Sequence, residues 1–572
     1  LVLVVYLAVL AQMPLDVFWH PDEGAKYISL QSVRWEGGLH YELPYGGERL
    51  DPERRFYPSN QIYPARRADG SVAFRWPILF PLITWPFVQV FGLPGIYILP
   101  LLSGWLAAVL AGLWTQLFVP RAGPVAVLLV GLATPVAFYS VSFFEHTPSV
   151  LLAGLAVTAL VLRPGRLSTV IFMVPPLAVA VALRVETVAF AAAALLAWGI
   201  SAVARWRWEP RGLLRAPRST WVLAVVAALV VLGSYLAASS FVPERHEEIL
   251  GRLPKLLGAL WDRRAHFFDS LVGILLGDPH ITDPGLLRVW QVASLLALGG
   301  LVVAPFADNR RTEAVLILPA LLVILQSGLL TVMHSLPFLQ RQGVLSVAPF
   351  TAIALFAVPE AFRRRDSRLL ALASTCALGT VFGFLALYAT RIDQHGGRSL
   401  LGLDGGVRYL LWLYPVGTAA SLVALASHRA SDAPRLARSL FTILMGSLML
   451  VSFYYEVLGV QELRAKREVL VQWREEIRRQ EPVVTDIWWL PAVIAPYWLS
   501  SEMYEVDGPG DLPAWLELAS KGGVAEFSHA SPSLRGDPRR GGDVRAELID
   551  FTNVFDLTVR RFRAGPPAPV EE

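Results

Sequence analysis

The chain has 572 residues, 54% of them hydrophobic and only 17% charged; soluble domains carry roughly 25% charge, so an ordinary soluble enzyme is excluded. Aromatic residues at 11% and sparse charge exclude disorder, and the single cysteine, Cys376, excludes a disulfide framework or a cysteine-built zinc or iron–sulfur site. The formal net charge is only +4, carried mostly by arginines that follow a pattern along the chain, and arginine suits phosphate.

A bilayer core about 30 Å thick takes roughly 20 apolar residues per helix. By that measure the sequence predicts about thirteen spans, at 1–15, 93–118, 123–142, 147–163, 168–183, 186–204, 219–240, 286–306, 312–333, 343–361, 368–389, 407–427 and 438–459. The chain opens at Leu1 inside an apolar run with no small-residue cleavage site behind it, which reads as a trimmed end rather than a signal peptide. Segment 76–91 is apolar, short and proline-rich, and reads as an interfacial or re-entrant helix. Near Arg184 and Glu186 two spans compete with one long tilted helix.

With the N-terminus inside, the inner loops hold Arg121; Arg163 and Arg166; Arg205, Arg207, Arg211, Arg215 and Arg218; Arg310 and Arg311; Arg363, Arg364, Arg365 and Arg368; and Arg429, Arg435 and Arg438. Short basic loops mark the cytoplasmic side. An odd span count then puts the C-terminus outside. Two outer regions are large: 16–92, and a tail from 460 to 572. The tail opens with a charged helical pattern, RAKREVLVQWREEIRRQ, with Glu and Arg on neighbouring turns. EPVVTDIWWL and ELIDFTNVFDLTVRRF follow and read as strands, before a disordered GPPAPVEE end. The expectation is a mainly α, polytopic transmembrane helix bundle (1–459) with a small C-terminal α/β extracytoplasmic domain (460–572), set in a bacterial-type cytoplasmic membrane.

Five places carry candidate chemistry. In FWHPDEGAKY (18–27), Asp22 and Glu23 follow the first span. A partly desolvated carboxylate there acts as a general base or ligates a divalent cation; alternatively Pro21, Asp22 and Glu23 simply open a helix. In FFEHTP (143–148), Glu145 and His146 pair an acid with an imidazole on the same outer face, either as a proton or metal site or as interfacial groups reaching water. In LRVET (183–187), Arg184 and Glu186 sit between two apolar runs, and either hold a lipid phosphate or close the turn as an ion pair. Arg75, Arg341 and Arg408 stand at outer helix ends, where positive-inside bias makes arginine notable and guanidinium suits phosphate; each alone is explained by snorkelling. Arg391, Asp393, His395 and Arg398 crowd the loop before the last of these. Trp488 and Trp489 in VVTDIWW (483–489) either stack on sugar or belong to a buried strand. A Walker A motif, a GxGxxG after a strand, HExxH, an internal repeat and a nucleic-acid module are all absent from the sequence.

Taken in order, HPDEGAKY (20–27), RWPILFPLITWPFVQVFG (75–92), FFEHTPS (143–149), LRVET (183–187) and GGVRYLLWLYP (405–415) resemble the GT-C glycosyltransferases, nearest the protein O-mannosyltransferase and aminoarabinose transferase branch. The resemblance covers most of residues 1–460 and leaves the tail unmatched. It implies a polyprenyl-phosphate sugar donor and a glycan, lipid or protein acceptor meeting at the outer face, with no nucleic acid. It implies Asp22 as general base or acceptor-binding acid, Glu23 as its helper, Glu145 as a second carboxylate beside His146, and donor-binding groups among Arg75, Arg184, Glu186, Arg341 and Arg408. It fixes no cofactor: some GT-C enzymes need a metal and this branch generally does not. A divalent metal, Mg or Mn, is an option that would fall to His20, Asp22, Glu145 and His146. Many relatives have Lys-Pro-Pro where this chain has Arg75-Trp76-Pro77, and some have Asp where it has Glu145-His146. The competing readings are a transporter or flippase of an amphipathic lipid, and a non-catalytic subunit of an envelope-polymer assembly.

Overall fold

The computed structural model describes residues 1–35, 39–41, 45–57, 64–66, 72–74, 78–208, 230, 233, 267–277, 281, 283–307, 310–333, 343–391, 406–429, 434–478, 482–506, 511–532, 546–554 and 557–564. The expected span 219–240 falls outside them apart from Val230 and Gly233, as do Arg75 and Arg341. The chain divides into two compact units, Leu1–Leu7 with Tyr97–Glu462, and Ala8–Ile96 with Leu463–Glu572. Residues 8–96, read from sequence as part of the membrane module, therefore group with the tail.

The first nine helices are α1 (Val2–Ala11), α2 (Pro21–Ser32), α3 (Leu79–Phe91), α4 (Ile98–Phe118), α5 (Gly123–Leu132), α6 (Val136–Ser140), α7 (His146–Leu162), α8 (Leu167–Leu183) and α9 (Thr187–Trp208). In the first unit α4 packs on α5 and α7, α7 on α8, and α9 along the Ser367–Arg391 helix. Small residues make the close approaches: Ala107, Ala108 and Ala111 of α4 are buried, and a Cβ on Gly104 would collide with Ser140 Oγ. Six helical segments among the described residues are long and apolar enough to cross a membrane: Leu93–Phe118, Thr187–Arg205, Pro284–Phe306, Val315–Met333, Ser367–Tyr388 and Arg435–Arg478. Others are shorter, including α7 and α8 at 17 residues each. Val289, Leu296, Val315, Ile443 and Leu450 are exposed, the apolar exterior a hydrocarbon solvent accepts.

Several expected spans are broken, and proline marks most breaks. Span 123–142 is α5 and α6, separated at Ala133–Pro135. Span 343–361 is a short helix Val344–Val347, a 3-10 stretch Pro349–Phe356 and a helix Ala357–Arg364; Pro349 has no N–H to give and crowds the preceding turn. Span 407–427 starts as Gly406–Tyr409 and resumes as Leu413–Arg429. The tilted-helix alternative near Arg184 does not hold, because α8 ends and α9 begins across Arg184–Glu186. The last span and the charged pattern behind it form one 44-residue helix, Arg435–Arg478, so position 459/460 lies inside a helix.

The second unit contains two small antiparallel hairpins, β1 (Val33–Trp35) with β2 (Leu39–Tyr41) and β3 (Pro64–Arg66) with β4 (Val72–Phe74). Its tail builds a five-stranded sheet from β5 (Val483–Thr485), β6 (Met503–Glu505), β7 (Glu526–Pro532), β8 (Ala546–Val554) and β9 (Leu557–Ala564), in the order β6-β5-β7-β9-β8. β5 runs parallel to β6 and β7; β9 runs antiparallel to β7 and β8. Helix Asp511–Lys521 links β6 to β7, and its buried Trp515 meets Phe527, which stacks on Phe562. Residues 45–57 join the sheet edge through Glu505 N–H donating to Phe56 O at 2.9 Å. β5 is fully buried; Trp488 is partly exposed and Trp489 stacks on Trp473.

Candidate functional site

In the first unit, the ends of two helices, α7 and α8, bring ionisable residues together. Glu145 is the residue before α7, His146 is its first residue, and Arg184 is the C-cap of α8. All three are buried. Arg184 Nη1 donates to Glu145 Oε1 at 3.0 Å and lies 2.6 Å from His146 Nδ1. Its other amino group is 3.5 Å from Glu186 Oε2, and Glu186 is partly open to solvent. The other ring nitrogen of His146, Nε2, is also close to Arg184 Nη1, at 3.0 Å, so the guanidinium lies along the edge of the imidazole. Two hydroxyl bonds set the frame: Ser149 Oγ lies 2.9 Å from Thr187 Oγ1, joining α7 to α9, and Thr147 Oγ1 donates to Pro100 O at 2.9 Å, joining α7 to α4.

Aromatic rings complete this site. Tyr139 stacks on His146 with centroids 4.5 Å apart, and Phe144 lies 4.7 Å from the same imidazole. Arg184 and Arg408 both lie over the ring of Tyr409, at 5.6 and 5.0 Å, and Arg408 Nη2 donates to the Tyr409 hydroxyl at 2.9 Å. Two guanidiniums thus share one phenol, while Glu145 and Glu186 hold Arg184 from its other sides. Such a pair of planar donors matches the oxygens of a phosphate.

Asp22 and Glu23 belong to the second unit, and they do open a helix. His20 is the N-cap of α2, its Nδ1 accepting from Asp22 N–H at 3.1 Å. Glu23 Oε2 reaches back to accept from Trp19 N–H at 2.8 Å and His20 N–H at 3.2 Å. Glu23 Oε1 lies 3.7 Å from Arg467 Nη2, both side chains being fully buried. The capping is thus done by His20 and Glu23. The Asp22 carboxylate takes no part in it and sits 3.4 Å from His20 Nδ1, nearly buried. α2 is fixed from behind: a Cβ on Gly24 would collide with the Ala492 carbonyl, and Phe18 N–H donates to Val493 O at 2.7 Å.

Among the described residues no three His, Cys, Asp or Glu side chains gather as a metal-ligand group. Glu145 and His146 already face a guanidinium, which repels a cation. Sequence reasoning missed Tyr139 and Tyr409, since an aromatic inside an apolar run carries no signature. It also missed Glu456, buried within the span read at 438–459, whose carboxyl oxygens have no hydrogen-bond partner among the described residues. An acid in so apolar a stretch was the available signal. Tyr139 lies within electrostatic reach of Glu456 as well as of Arg184 and Arg408.

No family model and no curated protein matches the sequence. Solved structures similar to the chain include ArnT from Cupriavidus metallidurans in the apo state, at 11% identity and TM-score 0.44, covering 94% of this chain and 95% of that one. The same protein bound to undecaprenyl phosphate gives 11% identity and TM-score 0.49, covering 98% and 97%.

Proposed function

We propose that the chain is a membrane glycosyltransferase of the GT-C type, moving a sugar from a polyprenyl-phosphate donor to an envelope glycan, lipid or protein acceptor at the outer membrane face. The observation that carries this reading is the pair of guanidiniums, Arg184 and Arg408, set over Tyr409 beside two buried ionisable groups. Sequence motifs in GT-C order support it independently. In this scheme the acceptor heteroatom attacks the anomeric carbon as the bond from that carbon to the phosphate oxygen breaks. Asp22 takes the acceptor's proton. Glu23 serves it by fixing the start of α2, and Arg184, oriented by Glu145 and Glu186, with Arg408 stabilises the charge on the leaving phosphate. His146 lies against Arg184 by both ring nitrogens and helps to set that guanidinium's position. Arg75 and Arg341 stay as further donor-binding candidates from sequence.

The test is sugar transfer by the purified full chain from a polyprenyl-phosphate donor extract, with and without chelator. Asp22→Asn is expected to lose roughly a hundredfold, the scale of a general base. Arg184→Lys keeps the charge but not the planar fork, and is expected to lose at least about tenfold in kcat. Folded variants that transfer like the wild type would overturn the residue roles. A chelator effect would support the Mg or Mn option.

A further inference from the structure

At the other end of α7 and α8 from Glu145 and Arg184, the first unit contains a cavity of about 420 Å³ lined by Arg166, Arg205, Arg364, Arg365, Arg368 and Asp366. Three chain segments supply these arginines, and each is held in place. The turn Pro164–Gly165 has Gly165 at φ +65°, where a Cβ would collide with Ala202 of α9. Trp198 Nε1 of α9 donates to Arg166 O at 3.0 Å, and Arg205 Nη1 donates to Pro164 O at 3.3 Å. Across the cavity, Arg364 pairs with Glu360 at 2.6 Å and donates to Ser427 Oγ at 2.7 Å.

Two features go beyond a basic loop of the positive-inside kind. The first is convergence: five guanidiniums line one space with a single lining carboxylate. Asp366 is occupied, its Oδ1 accepting from Arg368 N–H at 2.9 Å and Leu369 N–H at 3.3 Å. Asp366 Oδ1 also lies 3.6 Å from Arg368 Nε, and Glu360 pairs with Arg364, so two carboxylates answer five guanidiniums and a bound anion relieves the repulsion that remains. The second is Arg365, the C-cap residue of Ala357–Arg364, which adopts φ 50°, ψ 40°. That left-handed position is usually glycine, because a Cβ is disfavoured there. Arg54 and Arg121 also adopt positive φ, and of the three Arg365 is the one that lines this cavity.

We propose that this cavity binds the phosphate of an anionic phospholipid headgroup. Guanidinium recognition of phosphate is planar and bidentate, and the volume lies in the range of ordinary small-ligand pockets. Inorganic phosphate shares that chemistry, so the test separates the two sources.

The experiment is native mass spectrometry of the full chain in neutral detergent, titrated with phosphatidylglycerol, phosphatidylcholine or inorganic phosphate. Phosphatidylglycerol is expected to bind roughly tenfold tighter than phosphatidylcholine, because both carry a phosphodiester for the guanidiniums but only phosphatidylcholine adds a quaternary ammonium that the gathered cations repel. The R365Q/R368Q double variant should lose that preference. R166Q, from a different loop, should weaken it as well, which keeps the test open if the double variant folds poorly. R365G should melt higher than the wild type, its backbone strain relieved, yet bind less. Equal binding of both lipids, or an unchanged preference in the folded variants, overturns the proposal. Arginine-dependent binding of inorganic phosphate without a phosphatidylglycerol preference overturns the headgroup assignment.

Discussion

Asp22 and Glu23 are adjacent in sequence and identical in charge type, yet the structure gives them different work. Glu23 has both oxygens engaged, one in the cap of α2 and one toward the buried Arg467. Asp22 is outside the cap. Glu23→Gln retains a capping side chain but leaves a buried guanidinium without its carboxylate, which costs about 3 kcal/mol where such pairs are broken. The expected outcome is a clearly lowered Tm for Glu23→Gln in purified protein, with Asp22→Asn melting close to the wild type. If the two swap, the division of labour proposed for them is wrong. From sequence alone both residues carried the same two readings, helix start and acid–base chemistry. Only the identity of the cap, His20 with Glu23, separates them, and cap geometry is not encoded in a DE pair by itself. Glu145 with His146, and Arg184 with Glu186, were legible as two separate pairs because charged residues are rare beside apolar runs; that Arg184 joins them was not, since that contact spans 38 and 39 residues. The rings that position them, Tyr139 and Tyr409, were hidden among many aromatics of the same kind.

Elements were legible where a run was both apolar and unbroken, as in Ser367–Arg391 and Arg310–Met333. They were less legible where hydropathy continues across a change of backbone, since Pro135 and Pro349 are apolar in composition and disruptive in geometry. The break between α8 and α9 was readable as one of two options because two charges mark it. The tail strands were visible as β-branched and aromatic runs. The partner elements were not, because pairing joins residues far apart in sequence: the segment 45–57 meets β6 through Glu505 and Phe56. Helix α2 is seated in the same way, its Gly24 pressed against the backbone of Ala492 in the short helix Leu490–Val493. A backbone neighbour cannot rotate aside. Gly24→Ala is therefore expected to destabilise by about 2 kcal/mol or more, as overpacking does, despite alanine's better helix propensity. Thermal unfolding measures it, and a Gly24→Ala protein as stable as wild type would show that α2 can slide on its seat.

At the scale of the whole molecule, the two units bury different chemistry and so answer differently to their surroundings. The first unit buries mostly small and aliphatic side chains and exposes apolar ones, a composition made for a hydrocarbon solvent. The second unit gathers tyrosines in an aqueous-type core: Tyr45 packs on Tyr57 at 5.0 Å and edges Tyr504 at 6.3 Å. Burial pushes the Tyr57 and Tyr504 phenols upward. Tyr45 is raised by burial and then by Asp51, whose Oδ2 accepts its hydroxyl at 2.9 Å. A phenol raised in the folded state contributes stability in full below its unfolded pKa, near 10. That contribution falls as pH climbs above 10 toward the folded values, because only the unfolded chain can release the proton. The second unit is thus expected to lose stability steeply above about pH 10, with phenolate absorbance rising together with unfolding rather than ahead of it. Tyr45→Phe removes one such group together with the bond to Asp51. It should start from a lower Tm at neutral pH and show a shallower alkaline loss. Phenolate absorbance that rises while the fold stays intact would mean these tyrosines titrate in place, and that the packing of residues 45–57 on β6 is looser than the structure indicates.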